Sequence, residues 1–303
     1  MTIALDELRL MNAAGWIKED GPDFRKLLNS AVTEITIGSI THQERTGNTG
    51  TNFYVLEDGT GVNSVGLKNP GLRKTHLSLA SMIELIRAKK KRVRLSIAPI
   101  QLWELENLAQ LGKCHGVDTL EVDLSCKNVH DGDGQHIAAA ENLDLTRQAL
   151  QIVKSVWKSG ELAPKLLPYE DLEFLIAMME LMNEELRPGD SVVLSNTEPG
   201  YCPCDPTGKP YLRAITPDGK IVHTGGKSGT QAKGRNLRNV RIARRHLRQN
   251  LTVTAVTGIR SGQDICEYNE GGAQVFQVGT EYFKDGDPQV FSHIGATYPV
   301  YAQ

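Results

Sequence analysis

A thiol, an ammonium and an amide stand in a row at Cys126-Lys127-Asn128, directly after a run in which Leu120, Val122 and Leu124 interleave with Glu121, Asp123 and Ser125. Alternation with a period of two is the pattern of a strand. The turn-rich stretch His130-Asp131-Gly132-Asp133-Gly134 comes next, so Cys126 falls at the strand's carboxyl end and opens a polar loop. That end of the strands is where α/β folds gather their chemistry. A single cysteine in such a place is more often an inert buried thiol than a reagent. What gives Cys126 weight is the set of residues at the ends of the other strands.

Those ends are Asn12-Ala13-Ala14-Gly15, Gly38-Ser39, Ser96, Asp123 with Cys126 and Asn128, Lys165, Ser195-Asn196-Thr197, Thr257-Gly258 and Gly279-Thr280. Small residues and amides dominate, with one lysine and one thiol among them. Small residues let the backbone approach a flat ring closely, and amides satisfy the hydrogen-bonding edge of a heteroaromatic. Gly225-Gly226-Lys227-Ser228-Gly229, Gly258 and Gly279-Thr280 add backbone N–H groups late in the chain, where a barrel of this type holds phosphate. The chemistry suggested is that of a planar, phosphate-bearing cofactor beside a thiol.

Positioning these residues requires a regular alternation of strands and helices. Short strands are predicted over 8–15, 33–38, 93–98, 119–125, 164–168, 191–195, 252–256 and 273–278. Helices are predicted over 24–32, 76–90, 102–111, 143–157, 172–186, 233–249 and 262–270. The helix at 172–186 is apolar nearly all round, which predicts deep burial. About eight strands alternating with helices favour a parallel sheet with crossover helices. Eight such units in 303 residues fit one (β/α)8 TIM barrel spanning 1–303. No G-x-G-x-x-G follows the first strand, which weighs against a Rossmann sheet. The polar, Gly-rich stretch 39–52 is long for a connection and reads as functional. An insertion at about 199–224 contains a hairpin over 211–223 around Pro217-Asp218-Gly219.

Composition narrows the class. A net charge of −2 argues against a nucleic-acid partner bound by bulk electrostatics. Five cysteines form no disulfide framework and predict reduced thiols in a cytoplasmic protein. Cys202-Pro203-Cys204 reads as a surface loop, and no metal site is expected. No stretch has the length of a membrane span, and the N-terminus lacks the architecture of a signal peptide. The six arginines between Arg235 and Arg248 read as an exposed helix face paired with carboxylates.

The motifs MNAAG (11–15), GSIT (38–41), RTGN (45–48), NSVGLKNPG (63–71), DLSCKNV (123–129), PKLLPY (164–169), SNT (195–197), GGKSG (225–229), TGIRSGQD (257–264) and QVGT (277–280) run through nearly the whole chain. In order and spacing the chain resembles the dihydroorotate dehydrogenase family, FMN-dependent (β/α)8 barrels. The resemblance implies oxidation of dihydroorotate to orotate in pyrimidine biosynthesis, with a proton leaving C5 and a hydride passing from C6 to the flavin N5. It makes Cys126 the catalytic base, with Lys127 beside it able to assist, and Lys165 the cation at the flavin N1–C2 edge. Flavin contacts are implied for Ala14, Gly15, Ser39, Ser96, Asp123, Lys165, Ser195, Gly225, Gly226, Thr257, Gly258, Gly279 and Thr280. Substrate contacts are implied for Lys18, Asn63, Val65, Gly66, Leu67, Asn128, Asn196 and Thr197. By analogy the protein is a homodimer.

Three positions depart from the family pattern. Asp123 stands where the family has an asparagine that touches flavin and substrate; an ionised carboxylate cannot donate hydrogen bonds and repels a carboxylate. Gly38 stands where the soluble class has a lysine, whereas Lys18 matches a lysine of the membrane-associated class. Lys127 replaces a proline. Two other readings stand beside the first. One is an RNA-acting flavoprotein resembling dihydrouridine synthases, against which the chain shows no C-terminal helical RNA-binding extension. The other is an FMN-binding barrel acting on a different cyclic amide, or one that has lost turnover through Asp123. The electron acceptor stays open among fumarate, NAD through a partner subunit and quinone, with no apolar N-terminal extension to favour a membrane quinone.

Overall fold

The computed structural model describes residues 7–126 and 138–301. Eight strands close into one barrel: β1 (Arg9–Asn12), β2 (Glu34–Ile40), β3 (Arg92–Ile97), β4 (Thr119–Asp123), β5 (Glu161–Lys165), β6 (Ser191–Leu194), β7 (Thr252–Val256) and β8 (Val275–Val278). Each strand pairs in parallel with the one before it, and β8 returns to β1 through Arg9↔Val275 and Asn12↔Val278. The chain is a (β/α)8 barrel.

The helices form where apolar residues recur at helical spacing. Helix α1 (Leu143–Val156) buries Thr146, Ala149, Leu150, Val153 and Val156, and Asn142 caps it by accepting from the Leu145 N–H at 3.0 Å. Helix α2 (Leu172–Glu185) is capped by Asp171 and buries Leu175, Met178, Met179, Leu181 and Met182. It is less enclosed than its sequence predicts, since Leu172 is exposed at its start. In β4 the apolar residues point outward: the Leu120 side chain lies where a Cβ on Gly112, in the preceding helix, would meet it at 3.1 Å. Glu121, Asp123 and Ser125 therefore take the opposite side, inside the barrel, and all three are buried.

Strand β5 begins three residues earlier than predicted. Pro164 sits within it and not at its boundary, and β5 meets β6 at the single register pair Lys165↔Val193. A proline contributes no N–H to a ladder, which is why a boundary was the natural reading. The long stretches after β2 and β6 also differ from expectation, because they pair with each other. Glu198–Tyr201, Gly225–Gly229, Thr60–Asn63 and Phe53–Val55 make one antiparallel sheet. Ile221–Val222, Arg213–Ile215 and Thr49–Thr51 make a second, which contains the predicted hairpin. Tyr54 and Tyr211 stack at 4.6 Å between centroids and tie the two insertions together. Gly225–Gly229 is thus a central strand, paired with Glu198–Tyr201 on one side and Thr60–Asn63 on the other.

The arginines of the helix Thr230–His246 and just past it serve the fold. Arg244 donates to the carbonyls of Leu247, Arg248 and Leu251, and Arg248 to that of Leu186. Only Arg235 of this group has a carboxylate partner, Glu170 at 2.5 Å and Glu198 at 3.5 Å, among the described residues. No described helix is long and apolar enough to cross a membrane.

Candidate active site

A cavity of about 410 Å³ opens at the carboxyl ends of the barrel strands. Ala13, Ala14 and Gly15 reach it from β1, Ser39 from β2, Asp123, Ser125 and Cys126 from β4, and Lys165 from β5. Ser195, Asn196 and Thr197 follow β6, Thr257 follows β7, and Gly279 and Thr280 follow β8. The two insertions close it from above with Asn52, Phe53, Asn63, Val65, Gly66, Leu67, Lys68, Pro199, Gly226 and Ser228, and Lys18 enters from the β1 loop.

Lys165 and Cys126 come from neighbouring strands. Lys165 is directly opposite Asp123 in the β4–β5 register, and the residue is buried, 5% exposed. Among the described residues its one charged partner is Glu121, 3.9 Å away, so its donors stay available to whatever fills the cavity. Asp123 is held from several sides. Its Oδ1 accepts from the Ser125 N–H at 3.0 Å and the Ser125 hydroxyl at 2.6 Å, and Asn196 Nδ2 lies 3.3 and 3.4 Å from its two oxygens. Asn196 also donates to Ser125 Oγ at 2.9 Å and accepts from the Thr197 N–H at 2.8 Å. Its amide is turned to Asp123 and not to open space. Ser125 was not foreseen, although it lies two residues beyond Asp123 on the same side of a strand.

Lys18 donates to the Lys68 carbonyl, and its ammonium is lowered to about 8, first by burial and then by the neighbouring Lys68 charge. Lys68 itself was missed, for a lysine in a Gly- and Asn-rich loop reads as solvated. The loop that carries it is fixed by Asn69, whose Oδ1 accepts from the N–H groups of Thr41 and Gly71 and whose Nδ2 donates to the Leu67 carbonyl. Leu67 and Thr257 both have positive φ, 54° and 91°. Such a conformation is costly for side chains of this size and is tolerated where the surroundings enforce it.

Three expected residues do not line the cavity. Ser96 is fully buried beneath it, where its hydroxyl joins Ser39 Oγ at 3.0 Å to Glu121 Oε1 at 3.3 Å. Gly225 packs against the Asn63 carbonyl, which a Cβ would meet at 2.3 Å, and Gly258 packs against Lys233. Lys127 and Asn128 lie outside the described residues. Gly38 has φ 113° and backs onto the Ser96 carbonyl, which a Cβ would meet at 2.2 Å, so no side chain fits there.

The sequence model of the family described as Dihydroorotate dehydrogenase matches residues 7–298. The chain belongs to the dihydroorotate dehydrogenase family. Members of this family are flavin-dependent oxidoreductases acting on CH–CH bonds. The chain is 31% identical over 287 residues to dihydroorotate dehydrogenase A (fumarate) of Lactococcus lactis subsp. cremoris, covering 94% of this chain and 87% of that one. It is 29% identical over 297 residues to dihydroorotate dehydrogenase (fumarate) of Saccharomyces bayanus, covering 94% and 86%. The catalytic subunit of dihydroorotate dehydrogenase B (NAD(+)) of Thermoplasma volcanium is 26% identical over 276 residues, 91% of this chain and 83% of that one. Among solved structures, DHODH of Eimeria tenella in complex with ferulenol superposes with a TM-score of 0.76 at 17% identity, over 96% of this chain and 80% of that one. That likeness supports the barrel.

Proposed function

We propose that the cavity holds FMN and that this chain, acting as a single domain, oxidises dihydroorotate to orotate, with Cys126 as base and Lys165 as the cation facing the flavin. The observation that carries the reading is the convergence of Cys126 and Lys165, from adjacent strands, on one cavity walled elsewhere by small residues. The walls suit a flat ring. At Gly15 a Cβ would meet no protein atom within 4 Å, and at Gly279 it would only touch the Ala13 Cβ at 3.4 Å. Protein neighbours leave space at both positions, and both line the cavity. The Lys165 ammonium, buried and with donors to spare, suits a group that gains negative charge.

FMN, when bound, supplies the hydride acceptor. The chain's own residues do the rest. Cys126 Sγ takes the proton from the substrate carbon next to the one that gives up hydride, a contribution of roughly 10²–10⁴-fold for a well-placed base. Lys18 is the cation suited to the substrate carboxylate. Asp123 has Ser125 and Asn196 as its donors and no cation within salt-bridge distance among the described residues. It accepts hydrogen bonds, so the ring edge that faces it must present N–H, while its charge opposes an anionic substrate in the same cavity. Of the substrate contacts foreseen, Lys18, Asn63, Val65, Gly66, Leu67, Asn196 and Thr197 line the cavity, and the Asn196 amide is turned to Asp123. A cytoplasmic homodimer belongs to the same reading.

Purified protein tests the proposal. It should carry one FMN per chain, and the flavin colour should bleach anaerobically with dihydroorotate but not with dihydrouracil, which lacks the carboxylate. Bleaching by dihydrouracil alone would move the substrate to a neutral cyclic amide. Reoxidation that depends on transfer RNA would move it to the RNA-acting class.

A further inference from the structure

Below the cavity the barrel interior holds a column of alternating charges. Arg9 and Arg92 stand at its lower mouth against Glu34 and Glu161, with Arg9 at 2.6 and 2.9 Å and Arg92 at 3.5 and 3.4 Å. Arg94 lies above them, fully buried, 2.9 Å from Glu34, 3.4 Å from Glu161 and 3.4 Å from Glu121. Glu121 is next, also fully buried. Its Oε2 accepts from Gln277 Nε2 at 2.6 Å, and its Oε1 takes the Ser96 hydroxyl at 3.3 Å and faces Lys165 Nζ at 3.9 Å. Lys165 ends the column at the cavity. Nothing in the family reading uses Glu121.

Its position gives it a role. Arg94 and Lys165 are like charges on the same axis, and Glu121 is the carboxylate that contacts both. It holds Lys165 from beneath, and at 3.9 Å in a site shielded from water it offsets part of the field the ammonium projects into the cavity. Gln277, Ser96 and Arg94 fix the carboxylate so that it cannot follow the ammonium upward. We propose that Glu121 is the positioning residue of this site: it holds the Lys165 ammonium in place and, by opposing its charge, sets the reduction potential of the bound flavin.

This inference rests on the FMN reading, and it predicts opposite shifts from two substitutions. Reduction places negative charge on the flavin, so removing the Glu121 carboxylate should favour the reduced state and removing the Lys165 ammonium should disfavour it. The measurement is anaerobic equilibration of FMN-loaded protein with a reference dye. Glu121→Gln, which keeps the shape, should move the equilibrium at least tenfold toward reduced flavin, or ~30 mV for a two-electron couple. Lys165→Met should move it the other way. Glu121→Asp, which keeps the charge, should stay near wild type, and Glu34→Gln, which removes the same charge beyond Arg94, should shift it much less. An unchanged potential in Glu121→Gln, or an equal shift in Glu34→Gln, would overturn the proposal. If Glu121→Gln does not fold, the assignment rests on the Lys165→Met shift together with Gln277→Leu, which frees the carboxylate to approach the ammonium and should lower the potential; no change, or a rise, in Gln277→Leu then sinks it. A wild type that binds no FMN sinks the functional reading instead, before any variant is compared.

Discussion

The lower and upper halves of the barrel interior are built from the same strands and differ in how their charges are answered. In the lower half Arg94 touches three carboxylates, and Glu34 in turn touches three arginines. Burial alone would raise the Glu34 carboxyl, yet Arg94 and Arg9, with Arg92 further off, hold it down to about 2. Burial opposes the charge on Arg94 as well, and Glu34, Glu161 and Glu121 keep it protonated. In the upper half, among the described residues, Lys165 has one carboxylate at 3.9 Å, Lys18 has a carbonyl and a like-charged neighbour, and Asp123 has only neutral donors. A charge answered on every side belongs to the structure. A charge left with donors or acceptors to spare is available to a ligand.

The difference can be broken first from below. Arg94→Leu leaves Glu34, Glu161 and Glu121 buried without their common partner, and breaking a buried ion pair in this way costs about 3–5 kcal/mol. Urea titration should show a loss of that order, and a change below ~1 kcal/mol would mean that the column is not a stabilising unit. The corresponding change above should act on chemistry and spare the fold. Lys165→Ala should weaken FMN retention or slow flavin reduction by roughly 10²–10³-fold, the size typical of a preorganised charge in a dry site. Its urea midpoint should stay close to that of wild type; unaltered flavin content and rate together would count against a role for Lys165.

Two smaller effects sharpen the contrast within the cavity. With its ammonium lowered to about 8, Lys18 is charged below that pH and neutral above it. Orotate affinity should therefore fall as pH rises through 8, and Lys18→Met should remove this dependence while lowering affinity about tenfold near neutral pH, about 1.4 kcal/mol. Flavin absorbance titrations across pH would show it, and a flat profile in wild type would remove Lys18 from the carboxylate site. Asp123→Asn exchanges a carboxylate for an amide that both donates and accepts, and it should tighten orotate by about tenfold in the same titration. Equal affinity in the two proteins would mean that Asp123 does not face the substrate.

Much of this was legible in the sequence, for a physical reason in each case. The barrel shows itself because each strand carries a period of two and each helix one near 3.6, and both are local signals. The cavity shows itself because small residues, Lys165 and Cys126 all fall just past strand ends. The charged column did not, because Glu121 between Leu120 and Val122 reads as a solvent-facing residue of an alternating strand. In this barrel the polar face of that strand turns inward, and only the neighbouring strands reveal that Arg94 and Gln277 wait there. The roof was equally hidden. Thr60–Asn63 and Gly225–Gly229 are more than 160 residues apart in the chain, and neither stretch contains anything that names the other as its partner. Ser96, expected at the flavin, differs by one layer of depth, since it links Ser39 to Glu121 instead of facing the cavity.

The central claim is that the open half of the barrel performs the oxidation with Cys126 as base. Rapid anaerobic mixing of the FMN-loaded protein with dihydroorotate, followed at the flavin absorbance, tests it most directly when wild type and Cys126→Ala are compared at neutral pH. The account predicts bleaching in wild type and a rate roughly 10²–10⁴-fold lower in Cys126→Ala, with flavin content unchanged. Equal rates in the two proteins would make Cys126 a structural thiol and contradict the account.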